Sequence, residues 1–188
     1  MQHEDEMDLE ALPAAWSNGQ WIWLDLQRNR YKGGEVMRDA DLQALQALAT
    51  VKLQTVAGNE KPLVPPLGVL AHYIRSAWIA RKARYLPIAD QLALLQSAQI
   101  KYKTFGDTAT FAWLYQHMRN LRIRRPLCLE DSVCCALFLL RYVEAPSFCI
   151  GVKQPPFMAH AWVQVGDVLV NDVKAVVETY SEIVRLDL

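Results

Sequence analysis

The fold of this chain is decided by the segment Cys128-Leu-Glu-Asp-Ser-Val-Cys-Cys-Ala-Leu-Phe-Leu-Leu140. The segment is apolar nearly all round after Ser132, which predicts a buried central helix from about 127 to 142. Pro126 suits the first turn of a helix, where its missing N–H is not needed for hydrogen bonding. We therefore expect Cys128 at the N-terminus of the central helix.

The expected position of Cys128 makes it the candidate nucleophile. Unpaired backbone N–H groups and the positive end of the helix dipole lower the pKa of a thiol at a helix N-terminus. The acidic pair Glu130-Asp131 suits the dipole, but its charge is expected to raise the pKa of Cys128 slightly. The other three cysteines, Cys134, Cys135 and Cys149, lie among apolar residues and are expected to be small core side chains.

The hydrophobic periodicity changes after the central helix from that of a helix to the alternation of strands. Residues 147–152, 157–165 and 168–172 are predicted strands, and the last two form a hairpin around Gly166-Asp167. Helices followed by such strands indicate an α+β fold, with the helices packed on a small antiparallel sheet.

His160 and Asp172 lie on the two strands of this hairpin and complete the candidate site. An imidazole can take the proton of Cys128, and a carboxylate can fix the tautomer of the imidazole and stabilise its charged form. A regular two-residue loop would pair Ala161 with Asp172 and turn His160 away. We therefore predict a three-residue turn or a bulge at Gly166, which brings His160 opposite Asp172.

The part of the chain before the central helix reads as a small α/β piece, a linker and three helices. In residues 1–55, Trp21 to Leu26 and Tyr31 to Gly34 are predicted strands, and Leu42, Leu45 and Leu48 mark one helix face. Residues 56–66 are rich in Pro and Gly and are predicted to be a linker. Three predicted helices, at about 67–84, 87–102 and 107–122, then begin a domain that spans 67–188. Pro87 suits position N1 of the second helix, and Asp107 or Thr108 can cap the third.

Composition excludes several function classes. Apolar residues make up 52% of the chain, and 20 Lys and Arg balance 20 Asp and Glu, so no overall field attracts nucleic acid or a membrane surface. No stretch has the pattern of a signal peptide or the roughly 18 apolar residues of a membrane span, and the cysteines form no disulfide framework, so we expect the cytoplasm. We expect neither a zinc site nor a nucleotide-binding glycine loop, because their motifs are missing.

The residues that carry the chemistry also resemble a known family. The Cys-Leu helix start at Cys128, followed by PF-x-AHAWV-x-V-G-x-x-x-x-ND over residues 156–172, resembles the B protein of lasso-peptide biosynthesis, the leader peptidase of microcin-type maturation. The resemblance implies a transglutaminase-like or papain-like cysteine peptidase fold. Carried over by position, Cys128 is the nucleophile, His160 the base and Asp172 the orienting acid.

The resemblance also implies a substrate and partners. The substrate would be the leader segment of a precursor peptide, and an asparagine-synthetase-like cyclase would then close the macrolactam. No cofactor is expected in the chain, although a partner could bring a dependence on ATP. Residues 1–55 resemble a short winged-helix-like module that binds the leader as an added strand. The candidate substrate contacts are Trp23, Leu24, Tyr31, Arg124, Arg125, Phe157 and Trp162.

Two alternatives to leader cleavage stay open at the level of sequence. A transglutaminase or an amide hydrolase would use the same three residues on a different acyl group. A leader-binding scaffold for the cyclase would keep the three residues without using them for catalysis.

Overall fold

The computed structural model describes residues 12–34, 54–55, 64–98 and 106–188 of the chain. Its strands are β1 (Ala14–Ser17), β2 (Gln20–Asp25), β3 (Arg30–Gly34), β4 (Gln54–Thr55), β5 (Pro146–Lys153), β6 (Met158–Val165), β7 (Val168–Leu169) and β8 (Ser181–Asp187). Its helices are α1 (Leu67–Ala83), α2 (Ile88–Ser97), α3 (Thr108–Asn120), α4 (Cys128–Leu139) and α5 (Lys174–Val177). The fold is α+β, as the sequence predicts.

The main sheet has the strand order β4-β7-β6-β5-β8. Its pairs are antiparallel except that β4 runs parallel to β7. Helix α4 contacts β5 and β6 on one side and α1, α2 and α3 on the other. All nine residues from Asp131 to Leu139 are buried. The prediction of a central buried helix is therefore confirmed, and this helix fixes where Cys128 lies relative to the sheet.

Helix starts follow local sequence signals. The carboxylate of Asp107 accepts a hydrogen bond from the backbone N–H of Thr110 at 2.9 Å, so Asp107, the first of the two predicted candidates, is the N-cap of α3. Pro87 immediately precedes α2 and occupies its N-cap position. The sequence predicts Pro87 one position further on, as the first residue of the helix. None of the helices that the structure describes combines the length and apolar character needed to cross a bilayer.

The hairpin between β6 and β7 corrects the sequence prediction. Val165 pairs with Val168, so Gly166-Asp167 forms a regular two-residue loop, and the predicted three-residue turn or bulge is wrong. Gly166 has φ of 59° at the first loop position, as a type II′ turn requires. The side-chain amide of Gln164 donates to the carbonyl of Gly166 at 2.9 Å and supports this loop.

A second sheet, with the order β1-β2-β3, forms near the N-terminus. The predicted strands at Trp21–Leu26 and Tyr31–Gly34 are confirmed as β2 and β3, with ends shifted by about one residue. Strand β1 was not predicted, although Asn18-Gly19 between β1 and β2 is a strong hairpin signal. Both loop residues have positive φ, 48° and 87°, as in a type I′ turn.

The N-terminal sheet packs on the same core as α4. Ala15, Ile22 and Leu24 are buried in that core. The side-chain oxygen of Asn29 accepts a hydrogen bond from the N–H of Ile88 at 2.7 Å, which ties the β2–β3 loop to the start of α2. The predicted helix at Leu42 to Leu48 and most of the 56–66 linker lie outside the described residues, so the winged-helix-like module and the domain limits stay predictions.

Two glycines give a matched test of this packing. Gly151 of β5 faces Trp162 and Tyr180, and a Cβ on Gly151 would lie 2.8 Å from the Trp162 ring. Gly151→Ala is therefore expected to lower the free energy of unfolding by about 1–3 kcal/mol, because buried neighbours must shift. Gly68 lies in α1 with no atom within 4 Å of such a Cβ. Gly68→Ala is expected to raise that free energy by up to about 1 kcal/mol.

Urea unfolding of the two variants beside the parent protein measures both effects. Equal stability of the Gly151→Ala variant and the parent would contradict the close contact between β5 and the Trp162 ring.

Candidate active site

Cys128 occupies the first position of α4, and its thiol is exposed. The first hydrogen bond within the helix runs from the N–H of Asp131 to the carbonyl of Leu127, at 2.9 Å. The N–H groups of residues 128–130 therefore have no acceptor inside the helix. The backbone N–H groups of Leu129 and Ala161 instead hydrogen-bond the sulfur of Cys128. The thiol thus lies between the start of α4 and strand β6, where N–H groups converge on it.

His160 connects Cys128 to Asp172. Nε2 of its ring contacts the Oδ2 atom of Asp172, and the ring also hydrogen-bonds Cys128. Because Nε2 is engaged by the carboxylate, Nδ1 is left to face the sulfur. The ring lies beside Tyr180, with 5.2 Å between ring centroids. The structure therefore brings together the three side chains that the sequence singles out as a candidate triad.

The three groups stabilise one another's charged forms. The hydrogen bond from His160 is the main cause that lowers the pKa of Cys128, against the opposing effect of burial. The hydrogen bond to Asp172 is the main cause that raises the pKa of His160, to about 9. Burial acts to raise the pKa of Asp172, but the hydrogen bond with His160 and other contacts leave it below its ordinary value. At neutral pH this arrangement favours a thiolate beside an imidazolium.

The side chain of Asn171 explains how Asp172 reaches His160 after a regular turn. Its Oδ1 atom accepts the N–H of Val163 at 2.8 Å, in place of a backbone carbonyl from the facing strand. The carbonyl of Val170 instead accepts from the side chain of Gln116 at 2.7 Å. The N–H of Val170 still donates to the carbonyl of Val163 at 2.9 Å, but the backbone then leaves the ladder, and residues 170–172 form a bend. The bend removes the pairing that would have turned Asp172 away from His160.

A buried carboxylate holds this bend against α4. Asp131 is only 1% exposed, and it forms an ion pair with Arg119 at 3.0 Å. Its carboxylate also accepts hydrogen bonds from the Tyr115 hydroxyl at 2.9 Å and from the Asn171 amide at 3.2 Å. Arg119 in turn donates to the carbonyl of Asn171 at 2.8 Å. Helices α3 and α4 and the bend before Asp172 are therefore joined at one point.

The network at Asp131 is the part of the site that sequence reasoning missed. The sequence places Asp131 in the first turn of the helix and on its own suggests only a surface acid that complements the dipole. Both acids of that turn instead pair with arginines, Glu130 with Arg84 at 3.6 Å and Asp131 with Arg119, which offsets the charge expected to act on Cys128. The dipeptide Asn171-Asp172 is the sequence feature that could have indicated this network, because two polar residues follow one another at the end of a predicted strand.

The predicted substrate contacts separate into two groups. Tyr31 and Phe157 lie together, with 4.9 Å between ring centroids, and border a cavity of about 400 Å³. Burial raises the pKa of Tyr31, and the charge of Cys128 adds to this effect. Arg124 and Arg125 are exposed in the loop before α4.

Trp23, Leu24 and Trp162 are at most 4% exposed. They have almost no surface for a substrate to touch, which corrects the expectation that they contact it directly. Trp23 and Leu24 pack within the N-terminal part of the core, and Trp162 packs with Cys149 and Leu169. Within the described ranges, no group of three or more His, Cys, Asp or Glu side chains is arranged to hold a metal ion.

The ionisation of Cys128 can be followed by its alkylation with iodoacetamide as a function of pH. We expect one rapidly formed adduct, at Cys128, with a midpoint below that of an ordinary cysteine thiol. Cys134, Cys135 and Cys149 are buried, and burial raises the pKa of each, so they are internal controls. In the variant His160→Ala the midpoint is expected to rise, because the main cause of the lowered pKa is removed.

Mass spectrometry of peptides identifies the modified residue at each pH. An unchanged midpoint in the His160→Ala variant would contradict the hydrogen bond between the imidazole and the thiol.

Comparison with known proteins identifies the superfamily of the chain. The sequence profile of the Transglutaminase-like superfamily matches residues 70–185, which include Cys128, His160 and Asp172. No curated protein and no solved structure matches the chain significantly. Members of this superfamily are typically cysteine peptidases or transglutaminases, and such a domain fits a cysteine protease or an amide hydrolase. The profile covers more than half of the chain, and the chain therefore belongs to the Transglutaminase-like superfamily.

Proposed function

We propose that this protein is a cysteine peptidase that removes the leader segment of a lasso-peptide precursor before an asparagine-synthetase-like cyclase closes the macrolactam. The observation that carries the peptidase proposal is the contact of His160 with both Cys128 and Asp172 at the start of α4. The lasso-peptide assignment rests on the motif PF-x-AHAWV-x-V-G-x-x-x-x-ND at residues 156–172. The cytoplasmic location and any dependence on ATP through the cyclase belong to the same proposal.

The proposed reaction is hydrolysis of one peptide bond at the junction of leader and core. The thiolate of Cys128 attacks the scissile carbonyl carbon, and the carbonyl oxygen becomes an oxyanion. Unpaired N–H groups at the start of α4 are the natural donors to that oxyanion. His160 gives its proton to the leaving amine, so the C–N bond breaks and a thioester forms. Water, deprotonated by His160, then hydrolyses the thioester and frees the thiol.

Tyr31 and Phe157 are the proposed contacts for a substrate side chain next to the scissile bond. Their rings border a cavity of about 400 Å³ together with Gly33 and Gln154. Phe157 is about half exposed, and its ring lies 4.9 Å from that of Tyr31. Strand β3 of the N-terminal sheet thus shares this cavity with a residue of the proposed peptidase domain, which supports a role for residues 12–34 in substrate binding.

The superfamily assignment favours one competing function. A transglutaminase would form the same thioester and then transfer the acyl group to an amine in place of water. The two reactions differ in the mass of their products, since transfer adds the amine and hydrolysis adds water. A scaffold without catalysis would leave the precursor mass unchanged.

The nucleophile test uses purified protein, a candidate precursor peptide and mass spectrometry of the products. The parent protein is expected to release the leader with a free carboxylate. Cys128→Ala is expected to reduce the rate by at least roughly 10³-fold, because the attacking atom is removed. Cys135→Ala is the matched control on the same helix and is expected to stay within about twofold of the parent. Unchanged cleavage by the Cys128→Ala variant would exclude the peptidase proposal.

The pH profile of kcat/KM tests the role of Asp172. Activity requires the thiolate and the imidazolium together, so it is lost at low pH as Cys128 gains a proton. It is lost at high pH as His160 releases its proton, near its pKa of about 9. In the variant Asp172→Asn the pKa of His160 is expected to fall, because the main cause that raises it is removed. The alkaline limb of the profile should therefore move to lower pH.

Steady-state cleavage rates between pH 5 and pH 10 measure this shift, on the order of one pH unit or more. An alkaline limb at the same pH in both proteins would show that Asp172 does not control the protonation of His160.

A further inference from the structure

A cleft of about 810 Å³ lies between the C-terminal half of α1 and the loop that precedes α4. Leu127 and Glu130 line one part of it, so the cleft reaches the turn of α4 that carries Cys128. We propose that this cleft binds an acidic segment of a polypeptide, with apolar side chains among its acids, and delivers that polypeptide to the thiol. The inference rests on the proposed peptidase function for the role of the segment as part of the substrate.

The charge of the cleft favours an acidic ligand. Five arginines line it: Arg81, Arg84, Arg122, Arg124 and Arg125. Arg84 pairs with Glu130 at 3.6 Å, and Arg122 lies 3.9 Å from Asp131. Within the part of the chain that the structure describes, the other three have no carboxylate partner. Because the whole chain carries no net charge, this local excess of positive charge is a property of the cleft.

The apolar surface of the cleft favours a ligand with apolar side chains as well. Trp78 and Tyr85 of this region are 58% and 75% exposed, and Ile123 is fully exposed. Lys82 lies over the Trp78 ring at 3.8 Å, and Arg84 lies over the Tyr85 ring. Exposed apolar surface next to unpaired cations is typical of a binding site.

The shape of the site favours a polypeptide over a membrane surface or a nucleic acid. The surface is concave, and it leads from Trp78 on α1 to Leu127, the residue before Cys128. An extended chain lying in this cleft would pass directly to the nucleophile. A lipid surface would need no such connection, so we commit to an acidic peptide and test the other ligands as rivals.

The experiment measures binding without cleavage, in full-length protein that carries Cys128→Ala. The probe is a fluorescein-labelled peptide of twelve residues in which Glu and Asp alternate with Leu and Phe, and the readout is fluorescence anisotropy. We expect saturable binding that weakens as NaCl is raised, because the contacts are between exposed charges. A peptide with Lys in place of each acid should bind at least about tenfold more weakly.

Variants of the cleft then locate the binding site. The double variant Arg124→Glu with Arg125→Glu is expected to weaken binding of the acidic peptide at least about tenfold. Trp78→Ala is expected to weaken it severalfold. Arg75→Glu is the matched control, because Arg75 is exposed on the same helix but does not line the cleft. Circular dichroism of each variant verifies that it is folded.

Three outcomes would overturn the inference. The first is equal loss of affinity in the Arg75→Glu control and the cleft variants. The second is binding of the acidic peptide that the double variant leaves unchanged. The third is equally tight, cleft-dependent binding of phosphatidylglycerol vesicles or of a single-stranded oligonucleotide, which would make another polyanion the ligand.

Failure of this inference and failure of the proposed function give different results. If the parent protein cleaves the precursor and the double variant does so with unchanged KM, the peptidase proposal stands and the cleft has no role. If the acidic peptide binds in the cleft but no precursor is cleaved, the binding site stands and the peptidase proposal fails.

Discussion

The buried carboxylate of Asp131 is the constraint on which the geometry of the site depends. It receives the charge of Arg119 and the hydrogen bond of Tyr115, both on α3, and the hydrogen bond of Asn171 from the bend after β7. Burial raises the pKa of Asp131, and the charge of Arg119 is the main opposing influence. Removing one partner from a fully buried ion pair typically costs about 3–5 kcal/mol, and the cost is smaller here because 37% of the Arg119 side chain is exposed. The bend at residues 170–172 is therefore held in place by its contacts with Asp131 and Arg119, because breaking them would leave a buried carboxylate without its partners.

The candidate nucleophile Cys128 differs from the other three cysteines in its position in the fold, because the other three are buried in the core. Cys134 and Cys135 lie on the same helix as Cys128, one to two turns further in, where burial raises the pKa of each thiol. Cys128 has the same side chain but lies at the first position of the helix, next to His160 and two converging N–H groups. The difference comes from the surroundings: Arg122 donates to the sulfur of Cys134 at 2.9 Å, but burial is the larger effect there and raises the pKa of that thiol, whereas at Cys128 the hydrogen bond from His160 exceeds the effect of burial.

Local patterns were sufficient to predict most of the elements and the three residues of the candidate triad. The apolar run after Ser132 predicted α4, the alternation around His160 predicted β6, and Asp107 predicted the start of α3. The register of the β6–β7 hairpin was predicted wrongly, because strand alternation alone assumes that pairing continues to Asp172. The side chain of Asn171 accepts the N–H of Val163 in place of a backbone carbonyl, and the alternation of apolar and polar residues along the strand does not predict this exchange.

The sequence by itself determined which residues could do chemistry, because the thiol at a helix start and the polar residues at strand ends are local features. It also determined the fold class, since helical and strand periodicities are properties of short segments. Only the tertiary structure decided that Asp172 meets His160, that Trp23 and Trp162 are buried, and that five arginines from the end of α1 and the loop before α4 share one cleft. These outcomes depend on contacts between residues far apart along the chain, and such contacts are fixed by packing and by the pairing of buried charges.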